Sequence, residues 1–173
     1  MSRMNVYHDR NSPAAARVTL TRMKNFLGNV PDLSGVLAGA PGVLDACTEY
    51  TYHFMQGSLD QGERYLILFV ASREFGNEYC NELVKELSLL NKQAARMVEA
   101  LNKRRKLTKK AHRALADFVA AVVQKGGAIG DDEYEQVRKA GYSEQQVLEI
   151  IMGISIAWIW SNVSGVAGLS AEK

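Results

Sequence analysis

All three prolines of this chain, Pro13, Pro31 and Pro41, stand in its first quarter, and residues 42–173 contain none. Proline removes a backbone donor and breaks helices and central strands alike, so a long proline-free tract leaves extended helical segments free to form. Within it the apolar residues recur at helical spacing, and alternating strand patterns are almost absent. The fold class expected is therefore all-α, a single domain of about seven to nine helices. Ser12-Pro13 reads as a cap and first-turn proline for a helix reaching Leu27, with Gly28 ending it. Pro31 starts a short segment, and Pro41 opens a helix to about Gln56. Asp60 or Gln61 begins the next, to about Arg73, and Gly76-Asn77 breaks it before a helix to about Leu90. Lys92 to Leu101 is helical in pattern, and Thr108 is the expected cap of a helix to Lys125 before Gly126-Gly127. Asp132-Glu133-Tyr134-Glu135 and Ser143-Glu144-Gln145-Gln146 both fit capping boxes, the second opening the last helix.

Composition narrows the class further. A hydrophobic fraction of 47% and a charged fraction of 23% are those of an ordinary globular domain with a core. The net charge of +2 argues for no nucleic acid. The cluster Lys103-Arg104-Arg105-Lys106, with Lys109 and Lys110, has no interleaved aromatics and reads as a solvated face, with an anionic partner as the alternative. Residues 1–10 carry no apolar stretch, so no signal peptide is expected. Residues 1–11 read as a flexible leading segment and residues 12–169 as the domain. The longest apolar run, Val147 to Trp160, is shorter than the roughly 20 residues of a membrane span, so a buried core helix and no membrane association are expected. Two cysteines far apart make no disulfide framework and suit a reduced, cytoplasmic setting.

Asn77-Glu78-Tyr79-Cys80 is the stretch that raises chemistry. With Asn77 as N-cap, Cys80 falls on the third helical position, where free N–H groups and the positive helix end favour an anion. A depressed thiol pKa is expected there, and the thiolate is the reactive form. The alternative is a cysteine buried as a small hydrophobe.

Three blocks resemble the AhpD-like alkylhydroperoxidase and carboxymuconolactone decarboxylase family. Phe26-Leu27-Gly28-Asn29-Val30-Pro31 leads to Ala40-Pro41-Gly42-Val43-Leu44. Glu63-Arg64-Tyr65-Leu66-Ile67-Leu68 leads into Asn77-Glu78-Tyr79-Cys80. Asp132 through Ser143 leads to Val147-Leu148-Glu149-Ile150-Ile151 and an apolar helix carrying Asn162. Together they cover about Ala14 to Gly168. The resemblance implies an all-helical fold assembling as a homo-oligomer, a trimer or a hexamer built from dimers, with no cofactor. It also implies a Cys-x-x-Cys pair that reduces hydroperoxides, a histidine four residues later, and a glutamate on the preceding helix. Cys80 matches the second, attacking cysteine. Asn77 stands where the first belongs, Val84 where the histidine belongs, and Tyr65 where the glutamate belongs, with Glu63 two residues before it.

Cys80, Tyr65, Glu63 and Asn77 are thus the candidate site residues. One reading is a single-cysteine peroxide reductase in which Cys80 becomes a sulfenic acid reset by an external thiol, Tyr65 donates to a peroxide oxygen, and Glu63 or Glu78 handles protons. A second is a non-catalytic oligomer that binds a small ligand. A third is a decarboxylase-like enzyme without thiol chemistry, relying on Tyr65 or Glu63. Cys47 is a candidate resolving thiol and His53 a spatial substitute for the missing histidine, although Tyr50, Tyr52, His53 and Phe54 also read as an aromatic packing face. His112, beside Lys109, Lys110 and Arg113, is expected on a solvated face. The three scattered histidines suggest no metal site. Trp158 and Trp160, two apart on the last helix, should face different ways, one into the core and one into a subunit interface.

Overall fold

A computed structural model describes residues 2–8 and 10–171. After a short 3-10 turn at Ala14–Ala16 come α1 (Arg17–Leu27), α2 (Asp32–Leu37), α3 (Pro41–Met55), α4 (Gln61–Glu74), α5 (Glu78–Ser88), α6 (Lys92–Asn102), α7 (Lys110–Gln124), α8 (Asp131–Lys139) and α9 (Glu144–Ala167). No strand occurs among the described residues, so the architecture is all-α.

The middle of α4, Tyr65 through Ser72, is buried all round. A helix without a polar face must be covered on every side, and α5, α6, α7 and α9 pack around it. Gly153 makes one of these approaches possible. A Cβ there would meet Phe54 Cζ at 2.7 Å and Ile67 Cγ2 at 2.8 Å, so a hydrogen is what lets α9 approach α3 and α4 together. A second apolar cluster joins α1, α2 and α3 through Leu20, Leu37 and Leu44, with Leu83 of α5. Trp160 packs against both clusters. The leading segment, read from sequence as flexible, is tied to this body at two points: Arg3 N–H donates to Ala167 O (2.6 Å) and Tyr7 N–H to Gly35 O (3.1 Å).

Several helix starts fall where the sequence puts them. Pro41 is the first residue of α3, Asn77 caps α5, and Ser143 with Gln146 forms the capping box of α9. Others differ. The Ser12-Pro13 start yields only the 3-10 turn, and α1 proper begins at Arg17. Thr108 is not the cap of α7, because the chain turns helical only after Lys109. The box placed at Asp132 shifts by two residues: Glu133 accepts the Gly130 N–H (3.0 Å) and Lys125 Nζ, fixing the turn into α8.

The apolar run seen from Val147 to Trp160 is the middle of a longer element. At 24 residues, α9 is long and apolar enough to cross a membrane by length and composition, with 44% of its most apolar window buried inside the protein. That buried face lies on α4, α3, α2 and α5.

Candidate functional site

Asn77 and Cys80 form one polar joint. Asn77 Oδ1 accepts the Cys80 N–H at 2.8 Å, satisfying a free donor of the first turn of α5. Its Nδ2 crosses to α9 and donates to Ser161 O and Ser164 Oγ, both at 3.0 Å. Cys80 Sγ lies 3.5 Å from the same Ser164 hydroxyl. The sulfur is completely enclosed, at 0% exposure. Here the expectation of a depressed thiol pKa is corrected. Burial pushes Cys80 above its ordinary value, and the Ser164 hydroxyl draws it only part of the way back. The helix-end field is present, but the cost of placing a charge in an apolar interior outweighs it.

Val84, four residues on from Cys80, is fully buried among apolar side chains. Glu78 is exposed on the first turn of α5. Glu63 lies at the far end of α4, about 16 Å along the axis from Glu74, whose end leads to Cys80. There Glu63 Oε2 accepts the Asp60 N–H (2.9 Å) while Asp60 Oδ1 accepts the Glu63 N–H (2.8 Å), a complete capping box. Its other oxygen accepts from Tyr142 Oη at 2.8 Å and lies 3.8 Å from His112 Nε2. Burial and the bond to Glu63 push the Tyr142 hydroxyl well above its ordinary value.

His112 corrects another expectation. It is buried, at 6% exposure, rather than on a solvated face. The signal was available: positions 112, 115, 119 and 122 fall on one helical stripe, and all four are buried. With Asp60 and Glu63, His112 makes the one group among the described residues whose ligand atoms could hold a metal ion, all within 4.8 Å of one another. In the structure these carboxylates serve the helix cap, Tyr142 and Gln93 instead, and they stand at the positive end of α4. Ser161 and Ser164, which sequence analysis passed over, are hydroxyls three apart in an apolar helix, a spacing that puts both on the face turned to Asn77.

Tyr65 faces a different space. It borders a cleft of about 720 Å³ between α1, α2 and α3 on one side and α4 and α5 on the other. Trp160 and Cys47 also line it, and Leu68, Leu83 and Met55 make much of its wall apolar. Tyr65 is only 6% exposed, burial alone raises its pKa, and its hydroxyl makes no hydrogen bond among the described residues. Cys80 does not line the cleft, so the structure separates two candidates the sequence had grouped. Both cysteines are free thiols. His53 points outward from α3, 3.9 Å from Glu49 and edge-on to Tyr52, and its side chain is 70% exposed. Of the expected aromatic face only Phe54 is buried, while Tyr50 and Tyr52 are exposed.

No family model and no curated protein matches this sequence. Solved structures do. A peroxidase-related protein from Silicibacter sp. TM1040 superimposes with a TM-score of 0.82 at 19% identity, over 99% of this chain and 92% of that one. The alkylhydroperoxidase AhpD core of a peroxidase-related protein from Ralstonia eutropha JMP134 gives 0.77 at 20% identity, over 99% and 93%. This chain has the AhpD-like fold. A third structure with that fold is the debrominase Bmp8, a cysteine-to-alanine variant in complex with 2,3,4-tribromopyrrole (TM-score 0.76, 17% identity, 87% of this chain and 81% of that one). Structures of this fold are thus named for different chemistries, and the site residues must decide what it does in this chain.

Proposed function

We propose that this AhpD-like chain binds a small, largely apolar molecule in the cleft beside Tyr65, without dithiol redox turnover. The observation that carries the reading is Tyr65, 6% exposed and without a hydrogen bond among the described residues, on the wall of a largely apolar cleft of ligand size. A ligand oxygen or nitrogen that accepts from this hydroxyl exchanges its contact with water for a direct hydrogen bond, a net gain of about 0.5–1.5 kcal/mol. The complex of debrominase Bmp8 with a small halogenated ring supports an aromatic ligand for this fold. Self-association through the uncovered stripe of α9 and a cytoplasmic setting, suggested by two unpaired thiols, belong to the same reading.

Calorimetric titration with 1-naphthylmethanol tests it. Binding should weaken about five- to tenfold in Tyr65→Phe, which removes one hydrogen bond and keeps the ring. No binding to the wild type, or equal affinity in both proteins, overturns the reading.

One observation favours a second reading, peroxide reduction through Cys80. Ser161 Oγ is buried without a hydrogen-bond partner on the face of α9 that meets Asn77, and with Ser164 it offers hydroxyls for a peroxide oxygen. In that chemistry the thiolate attacks one peroxide oxygen, the O–O bond breaks, the alcohol leaves with a proton, and an external thiol reduces the sulfenic acid. Enclosure and a raised pKa oppose it. Consumption of cumene hydroperoxide with dithiothreitol, present in wild type and absent in Cys80→Ala, would move the assignment to this second reading.

A further inference from the structure

The wall of the cleft beside Tyr65 carries no formal charge. Charged residues make up 23% of the chain, yet no Asp, Glu, Lys, Arg or His lines this space among the described residues. What polarity it has is neutral. Cys47, Thr48, Thr51 and Met55 form one stripe of α3 turned to the cleft, at the three- and four-residue spacings that put side chains on one face. Thr48 Oγ1 donates to Leu44 O at 2.7 Å and keeps its lone pairs for an incoming donor. The Thr51 hydroxyl makes no hydrogen bond among the described residues. On α4, Gln61 Oε1 accepts from Asn91 Nδ2 at 2.7 Å, which leaves the Gln61 Nε2 hydrogens to donate. Burial pushes the Cys47 thiol and the Tyr65 hydroxyl up, so both stay uncharged near neutral pH. A separate hollow lined by Asp32, Glu82 and Glu86 shares Leu83, Leu87 and Leu90 with the cleft, but none of those carboxylates lines the cleft itself.

Resting on the cleft reading above, we infer that the ligand is an electrically neutral ring compound with hydroxyl, carbonyl or amide groups along one edge, and that the cleft rejects carboxylates and ammonium ions alike. The ring lies against Leu68, Leu83 and Trp160, and the polar edge meets Thr48, Thr51 and Gln61. An ion entering such a space gives up its water and finds no opposite charge there, a loss that apolar contact does not recover. A neutral hydroxyl or amide gives up far less, and the threonine, glutamine and tyrosine groups of the wall replace the water it leaves. The same inference removes decarboxylation from this cleft. That reaction needs a substrate carboxylate, and the wall has no cation to hold one.

Two pairs of probes, matched in shape and differing in charge, separate this from the cleft reading itself. They are 1-naphthaleneacetamide with 1-naphthaleneacetate, and 1-naphthylmethanol with 1-naphthylmethylamine, each titrated calorimetrically into the full chain at neutral pH. The amide should bind about tenfold or more tighter than the acetate, and the alcohol about tenfold or more tighter than the ammonium form of the amine. The ranking should be the same at about 20 and about 500 mM sodium chloride, since the wall holds no charge for salt to screen. Thr51→Lys places a cation on the wall. In that variant, with wild-type circular dichroism, the acetate should gain about tenfold or more on the amide. Either ion binding as tightly as its neutral counterpart, or an acetate that gains nothing in Thr51→Lys, overturns the neutral ligand and leaves the cleft standing. Failure of all four probes to bind overturns both.

Discussion

Asn77 and Cys80 share one partner: Asn77 Nδ2 donates to Ser164 Oγ at 3.0 Å, and Cys80 Sγ lies 3.5 Å from the same oxygen. Asn77, three residues before Cys80, is a polar rivet between the start of α5 and the last turns of α9. Replacing it by alanine removes the cap and two interhelical bonds. Asn77→Ala should therefore lower stability by about 1–3 kcal/mol. Urea unfolding measures it, and a loss under a few tenths of a kcal/mol would show that the joint is incidental.

The two thiols should differ in reactivity, and in the order opposite to that expected from the helix-end argument. Cys80 is sealed, whereas Cys47 borders the cleft and is partly exposed. Burial pushes both above the ordinary thiol value, so both react slowly near neutral pH. Iodoacetamide labelling followed by mass spectrometry should mark Cys47 first, with the rate climbing as pH rises above 8. Cys80 should be labelled only on the timescale of opening or unfolding. Faster labelling of Cys80 at pH 7 contradicts the enclosed, protonated thiol.

These results show which part of the site the sequence carried. Caps such as Asn77 and Ser143 are local: the side chain and the amide it accepts are three residues apart, so spacing suffices. The stripe that buries His112 is also local, but three neighbouring cations drew attention to the opposite face. The separation of Tyr65 from Cys80 depends on how α4, α5 and α9 pack, which no spacing records. Pairing Glu63 with Tyr142 likewise brings together residues 79 apart in sequence, which no spacing records. The Asp60–Glu63 capping box that fixes Glu63 at the start of α4, by contrast, is three apart and lies in the sequence itself. Helices and their ends were thus legible, whereas the contents of the spaces between helices were not.

Glu149 gives a pH dependence that does not involve the cleft. Its carboxylate accepts the N–H of Ser58 at 2.8 Å and of Leu59 at 3.1 Å, and the Gln145 amide at 3.0 Å, tying α9 to the turn before α4. Burial works against ionisation, but these donors outweigh it and hold the carboxyl below its ordinary value. A folded-state pKa below the unfolded one contributes stability that is present above the unfolded value near 4.3 and lost as pH falls through the folded value. The stability difference between wild type and Glu149→Gln should therefore be largest at neutral pH and shrink between about pH 5 and about pH 3. Thermal melts across that range test it, and a difference that stays constant with pH would remove the ionised carboxylate from the explanation.

The outward face of α9 carries the last prediction. Leu148, Ile151, Trp158 and Val166 recur at helical spacing along it, and they are 72%, 42%, 54% and 61% exposed. No Asp, Glu, Lys or Arg interrupts the stripe between Ile150 and Ala167. Asn162 and Ser155 stand within the row, but their side chains bond to Trp158 O and Tyr50 Oη. Water contact with the apolar residues is unfavourable, and a second copy of the same helix offers a matching row. Trp158, large and central, is the residue whose loss should matter most. Light scattering after size exclusion should find the wild type as an oligomer, with Trp158→Asp raising the dissociation constant by about thirtyfold or more. Since Trp158 is over half exposed within one chain, the variant should keep its helical circular dichroism. A wild type that runs as a monomer at about 100 μM, a concentration at which even a modest interface associates, would sink self-association through α9.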